Sequence, residues 1–329
     1  MPEASIIIPT LSNKVPLEAC LQSLIHQSLG RDRFEITIVN NGSQTHSDQF
    51  LKPIIERVDP NIRIIEAGRN LGFAGGCALG VENATGEIFF FHNDDTVSDP
   101  TWLALAVAEW KKTPDVGVIT CRIVNACRPI LQGEGARLVY PNGNFWQTGH
   151  GEPDSPNPQP APAPRPEEEG KGLPPRNILP HNPAVSGRDL TFFSGDIWAT
   201  PRSVWSEVGG LSHAYYPGYY EDTEYGLRCR RLGYRLRLLD YVICSHHGSL
   251  TLGNDNPRYW RTFHRSRYLF LLRNRLPHRW SEIAKAEFAW WTRYRAGGHP
   301  GPALMGLISA LPNTPSALFD RRRFENRMK

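Results

Sequence analysis

Two clusters of side chains in this 329-residue sequence have the types and spacing to do chemistry. The first is Asn93-Asp94-Asp95, directly after the apolar run Glu87–Phe91. Ligands of open parallel sheets bind beyond the carboxyl ends of the strands, which is where these carboxylates fall. Asp99-Pro100 then opens a helix. The set suits a hard divalent cation, because Mg²⁺ takes one or two carboxylates and leaves its other positions to phosphate oxygens. The plainer alternative is a turn, for which Asn-Asp-Asp is well suited. The second cluster is Tyr219-Tyr220-Glu221-Asp222-Thr223-Glu224, opening a helix. The helix dipole alone favours acids in a first turn. It does not account for the two tyrosines before them or for His246-His247 after the next two strands. Together the clusters supply metal ligands, a carboxylate base and aromatic walls, the parts a transfer reaction needs.

A third segment, Gly68-Arg69-Asn70-Leu71-Gly72-Phe73-Ala74-Gly75-Gly76, follows a strand and begins a helix. Backbone N–H groups in that setting bind anions; close packing of a glycine-rich helix start is the alternative. The segment lacks G-x-G-x-x-G and is not the first βα turn, which disfavours a dinucleotide site, and the absence of G-K-[ST] excludes a P-loop.

These residues are carried by alternating strand and helix signals. Strands are expected at 4–8, 34–39, 62–66, 87–91 and 116–120, with helices at 15–29, after Gly72 and at 100–112. Continuous apolar strands alternating with helices imply a mostly parallel sheet with helices on both sides. Further on, strands are expected at 190–194, 235–239 and 241–245, with helices near 201–208 and 221–232. The segment from about 152 to 183 holds 11 of the 28 prolines and reads as a mobile, polyproline-like insertion. The last 70 residues read as two or three amphipathic helices, and no internal repeat is visible. The domains expected are therefore residues 1–256, catalytic, and 257–329, a basic, aromatic-rich helical region.

At 40% hydrophobic residues, the chain can bury a sizeable core. No signal peptide is expected. The longest apolar stretch, Pro302 to Phe319, is interrupted by prolines at 302, 312 and 315 and does not suit a bilayer span. Six cysteines without C-x-x-C spacing read as reduced, buried thiols of a cytosolic protein. The net charge of +4 conceals an asymmetry: residues 257–329 carry 15 Lys and Arg against 4 Asp and Glu, and the remainder 22 against 29. A tail of +11 implies a polyanionic partner, such as a membrane surface, a lipid diphosphate or nucleic acid.

SIIIPTLSN, IVNNGS, RNLGFAGG, NDDT, FFSGDIW and YYEDTEYGLRCRRLGY…HHG occur in an order that resembles family 2 glycosyltransferases of the GT-A fold, in their rhamnosyltransferase-like and galactofuranosyltransferase-like branch. The resemblance spans about Ser5 to Ser249 without the insertion, and continues weakly through Arg273-Asn274-Arg275. It implies an α/β, Rossmann-like GT-A sheet with a C-terminal helical extension. It implies a nucleobase and ribose pocket lined by Pro9, Thr10, Asn40 and Asn41, with Arg69, Asn70 and Gly72 bordering the diphosphate. Asp94 is assigned to the donor, and Asn93, Asp95 and His246 to Mg²⁺ or Mn²⁺, with His247 the alternative ligand. Asp222 of the Glu221-Asp222 pair falls where the family has its general base, and Gly195, Asp196 and Trp198 where acceptor and sugar are contacted. Two departures stand out: Asn40-Asn41 where the family often has Asp-Asn, and Asn93 as the first residue of the D-x-D motif.

The reaction so implied is inverting transfer of a sugar from a UDP- or dTDP-linked donor to a glycan, lipid-linked or other hydroxyl acceptor. The donor leans slightly toward UDP-galactofuranose over dTDP-L-rhamnose, and the setting is bacterial cell-surface polysaccharide or glycolipid synthesis. The protein is expected in the cytoplasm, peripheral on the inner membrane face. Rival readings are an inactive nucleotide-binding scaffold on the same fold and a nucleic-acid-binding protein. The latter is not expected, since no nucleic-acid module accompanies the basic tail.

Overall fold

The computed structural model describes residues 2–11, 16–126, 131–133, 136–139, 142–147, 187–247, 256–274, 279–293, 300–318 and 320. The proline-rich insertion, Arg275 and Cys127 lie outside the described residues.

A mixed α/β architecture is built on one large, mostly parallel sheet. Its first half comprises β1 (Ala4–Thr10), β2 (Phe34–Asn40), β3 (Arg63–Glu66) and β4 (Ile88–His92), parallel in the order β4-β1-β2-β3. After the short β5 (Thr96–Val97) comes β6 (Val116–Asn125), which with its antiparallel neighbour β7 (Leu131–Gly133) begins the other half. A separate hairpin joins β8 (Ala136–Val139) to β9 (Asn144–Gln147). The edge strand β10 (Arg188–Leu190), β11 (Ile197–Pro201) and β12 (Arg235–His246) complete the order β10-β12-β6-β11-β4. The strand pleat divides the core: Ile6, Ile8 and Phe90 enter one apolar cluster, while Ile7, Phe89 and Phe91 enter the cluster on the opposite face.

The first face is covered by α1 (Leu17–Ile25), a helical run through α2 (Gln44–His46), Ser47–Leu51 and α3 (Lys52–Val58), and later α5 (Trp102–Lys112). The other face takes α4 (Gly72–Glu82), α6 (Arg202–Val208) and α7 (Glu221–Arg231). Helix α4 sits close to the sheet because it is rich in glycine: a Cβ at Gly76 would lie 2.9 Å from Pro9 Cβ. Five of the six cysteines, at 20, 77, 121, 229 and 244, are buried free thiols, as expected.

The sheet departs from the expected strand list in two places. The strand expected at 190–194 is displaced: β10 ends at Leu190, and the chain re-enters the sheet as β11, antiparallel between β4 and β6. Gly195-Asp196 before it and Pro201 at its end are turn signals that disguise a central strand. The two strands expected at 235–239 and 241–245 form the single strand β12, whose register with β6 shifts between Leu239 and Ile243.

The C-terminal helices are α8 (Pro257–Arg273), α9 (Trp280–Arg293) and α10 (Pro300–Ala310). Asn256 caps α8 by accepting from the Tyr259 amide at 2.8 Å, and Pro257 at the first position is preset for the helix. Two of the positive charges here are internal. Arg267 is fully buried and paired with Glu287 of α9, while Arg273 donates to Glu224 of α7 at 2.9 Å. Among the described residues no helix is long and apolar enough to cross a membrane.

Candidate active site

Asp95 follows β4, and the chain then runs as β5 across the sheet end to pair with β12, setting Thr96 opposite His246. That pairing brings Asp95 Oδ1 to 3.1 Å from His246 Nε2, both side chains nearly buried. The other ring nitrogen, Nδ1, lies 2.7 Å from Gln132 Oε1 and 3.9 Å from Asp196 Oδ1. Burial works against the imidazolium, yet the charges of Asp196 and Asp95 and the Asp95 hydrogen bond overcome it, raising the His246 pKa to about 9. His247 contributes through its backbone, its amide donating to the Asp95 carbonyl at 3.1 Å. Asp94 is buried beside this pair. Burial and the charge of Asp95 push its carboxyl up to about 7, with Thr10 and His246 pulling the other way.

Asn93 tightens the same cluster. Its backbone amide donates to the Asp196 carbonyl at 2.9 Å and its side-chain amide to Asp196 Oδ1 at 3.3 Å. An aspartate at 93 would set two like charges together here, so the asparagine is complementary to Asp196. Asp196 also accepts from Ser194 Oγ at 2.7 Å.

Asp222 lies close enough to Asp196 to feel its charge. Its Oδ1 accepts from its neighbour Thr223, from the amide at 2.6 Å and the hydroxyl at 3.2 Å. Its Oδ2 faces Gly195, where an added Cβ would come within 2.9 Å. Burial, and beyond it the charge of Asp196, raise the Asp222 pKa to about 6 against the Thr223 amide. Glu221 is buried with Oε2 unpartnered, and burial and the charge of Asp222 hold its pKa well above the usual carboxylate range. Tyr219 and Tyr220 precede the pair with φ of 73° and 70°, a left-handed region that side chains rarely occupy. The Tyr220 hydroxyl donates to the Gly143 carbonyl at 2.8 Å, helping hold this strained turn.

The donor residues converge around the end of β1. Asn41 donates to the Gly72 carbonyl at 3.1 Å, and Gly76 abuts both Asn41 and Pro9. Asn40 is engaged within its own loop: Nδ2 donates to Glu66 Oε2 at 2.7 Å, while Oδ1 accepts from the Gly42 amide and lies 2.8 Å from His46 Nδ1. The departure from aspartate thus matches Glu66, whose carboxylate would repel a second one. Arg69 is exposed, and Asn70 Oδ1 accepts from the Gly72 amide at 2.8 Å.

Two expectations need correction. Gly72 is buried, with its amide on Asn70 and the next amide, of Phe73, on the Pro217 carbonyl. Those two donors are engaged internally, so close packing accounts for this turn better than an anion cradle. Trp198 is fully buried in β11, stacked on Phe91 with ring centroids 4.3 Å apart. It supports the core beneath the cleft and does not line it. Of the other acids in the motif, Glu224 is taken up by Tyr215, Arg273 and Asn274, an anchor for the C-terminal helices. The sequence reading did not single out Gln132, Ser194 or Glu66. Gln132 and Glu66 act across the sheet end, where no local spacing signals them, whereas Ser194 serves Asp196 two residues on.

The donor set fits a divalent cation completed by its substrate. Among the described residues no group of three or more His, Cys, Asp or Glu side chains is arranged to hold an ion alone. Asp95 supplies a carboxylate of the kind both Mn²⁺ and Mg²⁺ take with phosphate oxygens, and the His246 imidazole beside it favours the softer transition ion of the two.

Residues 5–142 match the sequence model described as glycosyl transferase family 2. The chain is 25% identical over 294 residues to the N-acetylglucosaminyl-diphospho-decaprenol L-rhamnosyltransferase of Mycobacterium tuberculosis, covering 84% of this chain and 88% of that one. It is also 25% identical over 143 residues to glycosyltransferase AglE of Haloferax volcanii, a match spanning 44% of this chain and 42% of the relative. Among solved structures, mannosyltransferase PcManGT from Pyrobaculum calidifontis in complex with GDP-Man and Mn²⁺ superposes with a TM-score of 0.54 at 18% identity, over 99% of this chain and 86% of that one. GalNAc-T7 with UDP, GalNAc and Mn²⁺ gives 0.60 at 15% identity, over 90% and 57%. The fold is that of the GT-A glycosyltransferases.

Proposed function

We propose that this chain is a family 2 glycosyltransferase of the rhamnosyltransferase-like type, which transfers a sugar, with inversion, from a UDP- or dTDP-linked donor to a hydroxyl of a lipid-linked acceptor. The observation that carries the reading is that Asp196 acts on both groups, its charge reaching the Asp95–His246 pair and Asp222 alike. Asp95 and His246 would hold Mg²⁺ or Mn²⁺, which when bound neutralises the charge that builds on the departing nucleoside diphosphate. Asp222 takes the proton of the acceptor hydroxyl as its oxygen attacks the anomeric carbon. Gly195 leaves that carboxylate room. One base opposite the leaving group corresponds to in-line displacement and inversion.

The relative from M. tuberculosis, by its name, acts on a diphospho-decaprenol-linked sugar. It supports L-rhamnose as the donor sugar and a polyprenyl diphosphate as the acceptor carrier, in bacterial cell-surface glycan synthesis at the cytoplasmic membrane face. A screen of UDP- and dTDP-sugars for thermal stabilisation with Mn²⁺ or Mg²⁺ tests the reading, since a ligand of the native state raises its melting point. The expected outcome is stabilisation by one nucleotide sugar that EDTA abolishes. No response to any nucleotide sugar, with no donor hydrolysis, would favour the inactive scaffold.

A further inference from the structure

The last helix is amphipathic in the reverse of the usual sense. Helix α10 packs on α8 through its smallest residues, Ala303, Gly306 and Ala310, all buried, and Ala317 beyond it is buried as well. The approach is tight: a Cβ at Gly306 would lie 2.8 Å from the Arg265 amide nitrogen. Leu307 is partly buried beside them, but the other large apolar side chains point outward. Leu304 and Met305 are each 45% exposed, Ile308 49% and Leu311 57%, with Leu318 at 40%. Positions 304, 308 and 311 follow helical spacing and form one stripe. A helix designed only to cover a core turns its leucines inward and its small or polar residues to water.

The surrounding charge identifies what covers the stripe. Residues 296–319 contain no Asp, Glu, Lys or Arg. The sequence on either side is basic: Arg293 and Arg295 before it, Arg321, Arg322 and Arg323 after it. Asp320, the nearest acid, is paired with Arg273 at 2.5 Å. An anionic headgroup layer would meet these basic clusters with opposite charge while its acyl region takes the leucines. Pro302, Pro312 and Pro315 interrupt the segment and suit it to lie in the interface, not to cross it.

We propose that the outer face of α10 is a docking surface for an anionic lipid bilayer. The evidence is the helix's own packing and flanking charge; the reading of a lipid-linked acceptor supplies only its purpose. Arg267 does not contribute to it, being buried against Glu287, and Trp290 is partly buried against His264. The full chain is tested by co-sedimentation with vesicles of phosphatidylglycerol and phosphatidylcholine, against phosphatidylcholine alone. Wild type is expected on the anionic vesicles only, with release by salt. The triple variant Met305→Gln, Ile308→Gln, Leu311→Gln should bind on the order of a hundredfold more weakly. Its melting temperature and its vesicle-free donor hydrolysis should be unchanged, which separates this proposal from the reading of the site. The single variant Ile308→Gln serves if the triple fails to fold, and should weaken binding in the same direction. Wild type absent from anionic vesicles, or equally present on neutral ones, overturns the proposal. So does full binding by the variants, or a wild-type dimer that they dissociate.

Discussion

Asp95 and His246 are brought to 3.1 Å by a crossing of the chain over the sheet end. Strands β4 and β12 are not neighbours: β11 and β6 lie between them. The turn after β4 spans that gap and pairs β5 with β12, so the pairing Thr96–His246 sets the imidazole against the carboxylate one residue earlier. Gln132 then fixes the ring from its other side, its Oε1 accepting from Nδ1–H at 2.7 Å and its Nε2 donating to the His246 carbonyl at 3.0 Å. A ligand held by its second nitrogen is oriented before any cation arrives.

Asp95→Ala should therefore remove metal-dependent donor binding. Lewis-acid stabilisation is worth several kcal/mol, so turnover should fall roughly 10³-fold. The measurement is the thermal shift on adding Mn²⁺ with nucleotide sugar, which should vanish while the variant still melts cooperatively. A wild-type shift in this variant would assign the metal elsewhere.

Asp222→Asn keeps the shape and removes the proton acceptor. Turnover should fall by ~10²–10⁴-fold with donor affinity little changed. The pH profile gives an independent check. With its pKa raised to about 6, Asp222 is protonated and inactive as a base below that pH. Wild-type kcat/KM should thus lose about tenfold per pH unit below 6 and level off above it. Whatever activity Asp222→Asn retains should lack that acid limb; a limb that persists would belong to another group.

Gly195→Ala places a methyl group 2.9 Å from the present position of Asp222 Oδ2. The carboxylate has to shift, and a misplacement of about 1 Å can cost ~10²-fold in rate. The loss should appear in kcat with donor affinity nearly unchanged, as read from steady-state kinetics and a donor titration. A stability loss with normal kcat would mean that Gly195 serves packing alone.

Glu224→Ala tests a motif acid that is structural. It takes from Arg273, largely buried, the more buried of its two carboxylate partners and leaves Asp320, so the loss should stay below the about 3–5 kcal/mol of a fully broken buried pair. Urea denaturation should show a lower midpoint, while the folded fraction keeps its metal-dependent donor binding.

How far each residue could be read from sequence depends on the range of its interactions. The buried parallel strands were legible because a strand covered on both faces must be apolar throughout, as in ASIII and EIFFF. The acids were legible because Asp95 and Asp222 sit at element ends, where a local run stops and a polar group begins. Strand β11 was not, since Gly195, Asp196 and Pro201 imitate a turn unless the flanking strands β4 and β6 are already in place. The reach of Trp198 was also undecided locally: the pleat alternates its residues between faces, and only the stacking of Phe91 and Trp205 puts the indole in the core. The composition of residues 257–329 announced a basic, aromatic tail. Which of those charges face outward was set by partners far along the chain, Glu287 for Arg267 and Glu224 for Arg273. Residue type and local period determine what a segment can be. Partners distant in sequence decide which of its side chains remain free to act, because a buried charge must be paired and a buried apolar face must be covered.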